Sequence, residues 1–199
     1  MPIPPVLRSH WRLTHRDDVI WLGSLPLGRG HRVELRVHLF FVLTCLALTS
    51  ALALSVLPRV FPGWAPAVYW LVATAVTAID SVLGLLHELG HAIVALARGR
   101  KVYRITLYGL AAAARRSSGA NRPRDQFSIA IAGPISHLLV ASALLVTWTV
   151  LPNDNEPLRV ATGFPALSNL VVGAFNLLPV SPLDGGRAAR AVIAALLRL

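Results

Sequence analysis

Long apolar runs, separated by shorter polar stretches, dominate the hydrophobic pattern of this chain. Few charged residues interrupt four of these runs, at about residues 37–57, 65–97, 127–151 and 160–183. Each run is long enough to cross a bilayer, because roughly 20 apolar residues in a helix span its hydrocarbon core. The pattern therefore predicts a mainly α-helical, polytopic integral membrane protein with about four transmembrane helices.

Two of the runs are predicted to be irregular. At 1.5 Å per residue the second would be about 50 Å long as a helix, so it must tilt, break or protrude. Asn176, Pro179 and Pro182 indicate that the last third of the fourth run is not regular helix. A further apolar stretch at 188–197 is too short to span.

A short strand is predicted on the cytoplasmic side, where Lys101 to Tyr108 partly alternates apolar and polar residues. An exposed edge there could hold an unwound substrate by β-augmentation. Alternatively, the segment is a connector at the membrane interface, anchored by Tyr103 and Tyr108.

Composition favours the same class of protein. Hydrophobic residues make up 55% of the 199 residues and charged residues only 14%, which is unusual for a soluble protein. The net charge of +10 would suit a basic nucleic-acid binder, but the basic residues avoid the apolar runs. We therefore expect the lipid bilayer, not nucleic acid, as partner. Cys45 is the only cysteine, which excludes an internal disulfide and a cysteine-based zinc site.

Arginine is distributed unevenly among the segments that connect the runs. Two stretches are strongly basic. Residues 1–36 contain Arg8, Arg12, Arg16, Arg29, Arg32 and Arg36, and residues 98–125 contain Arg98, Arg100, Lys101, Arg104, Arg115, Arg116, Arg122 and Arg124. The remaining two connections carry only Arg59 and Arg159. The positive-inside rule then places both termini and residues 98–125 in the cytoplasm. The first 36 residues lack the apolar core of a signal peptide. We expect residues 1–199 to form a single membrane-embedded domain.

The second run contains the sequence His87-Glu88-Leu89-Gly90-His91. In a helix the two histidines share a face and can bind one Zn²⁺, while Glu88 is available as a base towards water. Five-residue matches also arise by chance. Here apolar residues surround the motif, so a solvated helix face does not explain it, and ionisable groups within a membrane need a partner. The motif predicts metal-assisted hydrolysis.

A catalytic zinc needs a third protein ligand, and few carboxylates remain for that role. Asp154 and Glu156 fall in an outer loop, and Asp125 lies beside arginines, where a helix cap or surface ion pair is expected. Elimination leaves Asp184, which is predicted to lie at about the same depth in the membrane as His91. Alternatively, Asp184 is an ordinary turn residue before Gly185 and Gly186. Asp80 is predicted either to orient a ligand or line a water path, or to cap a break in the second run.

The chain resembles the site-2 proteases, the intramembrane zinc metalloproteases. The resemblance is carried by the His87–His91 motif, by Ala132-Gly133-Pro134 and by the segment from Phe175 to Arg187, with the sequence FNLLPVSPLDGGR. It implies His87, His91 and Asp184 as zinc ligands, Glu88 as catalytic base and Asn176 as a polar group near the scissile peptide. His137 stands where relatives often have asparagine and is left outside the ligand set.

The resemblance also implies regulated cleavage of transmembrane protein substrates in a bacterial or archaeal cell membrane. Better-known relatives continue into further helices after the Asp-Gly-Gly-Arg segment, so a minimal four-span core is implied here. The alternative is a non-catalytic membrane scaffold or pseudoprotease that binds metal. Glu88 argues against that alternative, because binding alone has no chemical need for the base.

Overall fold

A computed structural model describes residues 19–27, 32–108, 111–116 and 122–197. The elements follow in the order β1 (Val19–Pro26), β2 (Arg32–His38), α1 (Leu39–Val60), α2 (Pro66–Ala97), β3 (Val102–Tyr108), β4 (Ala111–Arg116), α3 (Pro123–Val150), α4 (Glu156–Asn176) and α5 (Asp184–Leu196). Helices α1 to α4 are each long and apolar enough to cross a membrane. The predicted mainly α-helical, polytopic architecture is confirmed.

Helix α1 begins two residues later than the apolar run at 37–57 predicted. Val37 belongs to β2 and pairs with Leu107 of β3, so the strand ends where the helix starts. The ring of His38 caps the helix, with its Nδ1 accepting a hydrogen bond from the backbone N–H of Phe40 at 3.1 Å. A π-helical turn at Leu52–Val56 interrupts the α-helical pattern before the helix ends.

Helix α2 is one unbroken helix of 32 residues, about 48 Å long. Pro66 occupies its first turn, where a missing N–H costs nothing, and Gly99 ends it with a φ of +72° that suits glycine. The prediction that Asp80 caps a break is therefore wrong, because there is no break. A helix of this length must tilt or protrude to fit a bilayer.

The third and fourth runs also have shifted boundaries. Helix α3 starts at Pro123, before the predicted 127–151, because its first turn is formed by residues 123–126, which precede the apolar run. Helix α4 replaces the predicted 160–183: the side chain of Asn155 caps it by accepting from the Leu158 backbone N–H at 3.1 Å. It ends at Asn176, so the prediction that the last third is irregular is confirmed.

The four strands form one sheet in the order β1-β2-β3-β4, with β2 and β3 parallel and the other two pairs antiparallel. The strand predicted at Lys101–Tyr108 is confirmed, but β3 has a neighbour on both sides. The alternative that this strand offers an open edge for β-augmentation is therefore wrong. Strand β1 and most of β2 lie within the predicted N-terminal segment 1–36, of which residues 1–18 and 28–31 fall outside the described residues.

The sheet packs at the C-terminal end of α2. Val33 of β2, Ile105 of β3, Ile129 of α3 and Ala92 of α2 are buried in one hydrophobic cluster. A second cluster, between α1 and the N-terminal part of α2, includes Val72. The first cluster fixes the start of α3 against the helix turn that follows His91, and so positions the face of α3 that contacts the histidine motif.

Candidate functional site

His87 and His91 lie one turn apart on α2 and are both buried. Their rings meet edge to face, with centroids 4.8 Å apart, and the two Nε2 atoms are 3.2 Å apart. Glu88 is also buried, and one of its carboxylate oxygens lies within 4.8 Å of a nitrogen of each histidine. The motif residues therefore converge on one point.

Asp184, the first residue of α5, closes the group. Its Oδ2 atom lies 3.0 Å from the Nε2 of His87 and 3.0 Å from the Nε2 of His91. Burial raises the pKa of Asp184, but hydrogen bonds from protonated nitrogens of the two histidines and the charge of Arg187 outweigh burial and hold that pKa well below its usual range. The carboxylate is thus ionised at neutral pH. The structure brings Asp184 to the histidines, as the matching depth of the two runs indicated.

Two features of the Asp184-Gly185-Gly186-Arg187 segment hold this carboxylate in place. The guanidinium of Arg187 donates from Nη1 to Asp184 Oδ1 at 2.8 Å, one helical turn away, which leaves Oδ2 facing the histidines. A Cβ at Gly185 would collide with the backbone carbonyls of Leu177 and Leu178. Only glycine allows the start of α5 to approach the end of α4 this closely.

Gly133 of α3 lies directly beneath the histidine rings. A Cβ at this position would lie 2.8 Å from His87 Nε2 and 2.6 Å from His91 Cε1, well inside van der Waals contact. Gly90 allows a similarly close approach between α2 and α3, because a Cβ there would lie 2.8 Å from the carbonyl oxygen of Ala132. The Ala132-Gly133-Pro134 segment therefore provides the space in which the two rings sit.

The hydrogen bonding of His91 determines which of its ring nitrogens carries hydrogen. Its Nδ1 lies 2.6 Å from the carbonyl oxygen of Ile129, which can only accept, so Nδ1 carries the hydrogen and Nε2 presents a lone pair. That lone pair faces the ionised carboxylate of Asp184 at 3.0 Å. At this separation the two atoms share a cation: a proton, which gives the hydrogen bond that lowers the pKa of Asp184, or a metal ion in its place.

Other predicted residues lie elsewhere. Asn176, at the C-terminal end of α4, is half-buried, and its side chain forms no hydrogen bond with another residue in the described ranges. Asp125 is in an ion pair with Arg98 at 3.1 Å, near the surface at the start of α3. Asp80 accepts a hydrogen bond from the side chain of Asn169. Asp154 precedes α4, and Glu156 is the first residue of that helix.

Sequence reasoning missed several residues of the site. Arg187 was named only as the last residue of the segment that resembles site-2 proteases, although an aspartate and an arginine three residues apart in a helix often form an ion pair. Gly133 was noted within a motif, but the packing that requires glycine was not. Asn169 carried no signal, because its contacts with Asp80 and His137 join three different helices.

The chain is similar to a family of peptidases and to several zinc metalloproteases. The family profile described as Peptidase M50B-like matches residues 63–180. The chain is 35% identical over 175 residues to Rip3 of Mycobacterium tuberculosis, covering 85% of this chain and 44% of that protein. It is 28% identical over 176 residues to the zinc metalloprotease MJ0392 of Methanocaldococcus jannaschii, covering 85% of this chain and 45% of that protein.

A solved structure with the same architecture is the site-2 protease from Methanocaldococcus jannaschii. It aligns with a TM-score of 0.62 and 25% sequence identity, covering 89% of this chain and 72% of that one. The chain spans less than half the length of the two curated relatives described above. Because the matched profile covers more than half of its residues, the chain belongs to the Peptidase M50B-like family, and the resemblance to site-2 proteases is confirmed.

Proposed function

We propose that this chain is a zinc metalloendopeptidase that hydrolyses peptide bonds of transmembrane protein substrates in regulated proteolysis. The observation that carries the proposal is the convergence of His87 Nε2, His91 Nε2 and Asp184 Oδ2, each within 3.2 Å of the other two. The names of the relatives, a zinc metalloprotease and a site-2 protease, agree with it.

The donor set suits zinc. Bonds of about 2.0–2.1 Å arranged tetrahedrally separate neighbouring ligand atoms by about 3.3 Å, close to the 3.0 and 3.2 Å separations found here. Two imidazoles and one carboxylate leave the fourth position open, as catalytic zinc sites require. Glu88 also lies within 4.8 Å of both histidine nitrogens, but Asp184 Oδ2 is closer to them, at 3.0 Å from each. We therefore assign His87, His91 and Asp184 as ligands.

Glu88 is the general base in this proposal. When bound, zinc supplies Lewis-acid chemistry that makes water nucleophilic and polarises the substrate carbonyl. The Glu88 carboxylate takes a proton from the attacking water and delivers it to the leaving nitrogen. Its burial beside the histidines keeps the base within reach of the same point.

Substrate handling is assigned to the end of α4. We propose that the side-chain amide of Asn176 donates to a carbonyl of the unwound substrate, because α4 ends at this residue and the next two residues pack against α5 beside Asp184. Local unwinding is needed because a helix hides its carbonyls in internal hydrogen bonds. Arg187 keeps the ligand Asp184 oriented throughout.

The proposed topology supplies water to the site. The charge distribution supports cytoplasmic termini and a cytoplasmic 98–125 segment. The bacterial and archaeal relatives support a bacterial or archaeal cell membrane. His91 lies six residues before the end of α2 at Ala97, about 9 Å along the helix. Hydrolysis consumes water, and a site this close to the cytoplasmic boundary is reached by water more readily than the bilayer centre.

Replacing Glu88 tests whether the chain is an enzyme. Glu88→Gln keeps the shape and removes the basicity, so it should retain zinc while cleavage of a single-span substrate in liposomes falls by a factor on the order of 10² or more. His87→Ala should lose zinc and cleavage together, since it removes a ligand. A wild type that cleaves nothing, together with a Glu88→Gln variant that performs like wild type in every assay including function in cells, would instead support a metal-binding scaffold.

A further inference from the structure

A buried line of polar side chains leads from His87 away from the proposed zinc site. His137 of α3 places its Nδ1 3.3 Å from the Nδ1 of His87. The Nε2 of His137 contacts Asn169 Oδ1 on α4, and Asn169 Nδ2 contacts Asp80 Oδ1 on α2. His137 and Asn169 are 4% and 5% exposed, so these contacts replace water as their hydrogen-bond partners.

A backbone carbonyl sets the direction of every hydrogen bond in this line. The Nδ2 of Asn169 lies 2.8 Å from the carbonyl oxygen of Pro165, which can only accept, so the amide nitrogen faces Pro165 and Asp80. The amide oxygen must then face His137, whose Nε2 donates to it. A neutral His137 is left with a lone pair on Nδ1, and His87 Nδ1 donates to that lone pair.

This direction presents the Nε2 lone pair of His87 to the metal site. We propose that Asp80, Asn169 and His137 are positioning residues that hold His87 in its metal-binding tautomer and ring orientation. The inference rests on the proposed function, because it takes His87 to be a ligand. Metal-binding histidines need such a partner for their second nitrogen, and losing one typically weakens metal affinity by about 10- to 100-fold. Ile129 provides the corresponding partner for His91.

The surroundings argue against space filling as the purpose of these side chains. Asp80, His137 and Asn169 border a cavity of about 210 Å³ between α1, α2 and α4, so their own packing is incomplete. Polar groups in membrane-spanning helices are costly unless they are partnered. Asp80, Asn169 and His137, three such side chains in one directed line that ends beside a proposed ligand, act through their hydrogen bonds.

Zinc affinity of the whole chain in detergent, measured by competition with a chromophoric chelator, tests the proposal. We expect His137→Leu and Asn169→Leu to raise the Kd for zinc about 10- to 100-fold. His137→Gln, whose amide can accept from His87 and donate to Asn169, should stay within about threefold of wild type. Thr77→Val is the matched control, because Thr77 lies on the same helix as Asp80 and accepts a hydrogen bond from Thr49 of α1, and its side chain has no hydrogen bond with the line.

Two results would overturn the inference: unchanged zinc affinity in both leucine variants, or equal weakening by His137→Gln and His137→Leu. If wild type itself binds no zinc, the proposed function fails instead. A second measurement needs neither zinc nor the leucine variants. ¹⁵N NMR of wild type labelled in histidine, assigned with His137→Gln, should show His137 protonated on Nε2. Protonation on Nδ1 alone would reverse the line and refute the proposal.

Discussion

Substituting alanine for Gly133 adds one methyl group beneath the two histidine rings. The new Cβ would lie 2.8 Å from His87 Nε2 and 2.6 Å from His91 Cε1, where ordinary contact begins at 3.4 Å. The atoms it meets belong to both proposed ligands, and His91 is further held by the Ile129 carbonyl at 2.6 Å. Neither ring can turn away without giving up its position at the metal.

The required displacement can be estimated from these distances. Relief of the contacts needs a shift of about 0.6 Å at His87 and more than about 0.8 Å at His91, whose Nε2 would lie closest to the new Cβ, whereas metal–ligand distances tolerate only about 0.2 Å. Functional side chains must also stay within about 0.5 Å of their working geometry. We therefore expect Gly133→Ala to weaken zinc binding by a factor on the order of 10² or more, without unfolding the helices.

Zinc content and chelator competition in detergent measure this effect, with circular dichroism as the check on helix content. The matched control is Gly84→Ala, since Gly84 lies on α2 near His87 and a Cβ there meets nothing within 4 Å. The control should bind zinc like wild type. If Gly133→Ala also bound zinc with wild-type affinity, the rings would not occupy the space described, and the assignment of their Nε2 atoms to the metal would be wrong.

Three further predictions concern ligation, ligand orientation and topology. Asp184→Ala should lose zinc, while Asp125→Ala should keep it, as metal analysis of the purified variants will show; the reverse pattern would identify Asp125 as the ligand. Arg187→Gln should keep zinc but raise its Kd severalfold, because Asp184 Oδ1 loses a charged donor, and an unchanged Kd would contradict that role. In a Cys45→Ser background, a cysteine at Ser118 should resist impermeant labelling of intact cells; labelling from outside would refute the topology.

Much of the fold follows from the apolar pattern, because a helix within a bilayer must satisfy its backbone internally. The pattern therefore gives the number and order of α1 to α4, but not their ends. Caps such as Asn155, and strand pairing at Val37, set those ends through contacts that hydropathy does not register. Strand β2 did carry a signal: apolar and polar residues alternate from Arg32 to Val37, but within a stretch interpreted only by its arginines.

The proposed ligands could be predicted because their constraints are local or easily enumerated. His87 and His91 are one helical turn apart, and very few carboxylates competed with Asp184. The side chains that contact these ligands could not be predicted, since their positions depend on how α2, α3 and α4 pack. His137 and Asn169 are 32 residues apart in sequence, and Asn169 and Asp80 are 89 apart, so neither pair leaves a periodic trace.

The close packing around the proposed site also bears on how α5 is held. Asp184 lies against two histidine nitrogens at 3.0 Å, and the backbone after α4 contacts Gly185. Much of the remaining surface of α5 is exposed and apolar, including Ile193 and Leu196. Zinc bound by Asp184 as proposed would therefore stabilise the docking of α5, since a ligand that binds only the folded arrangement stabilises that arrangement.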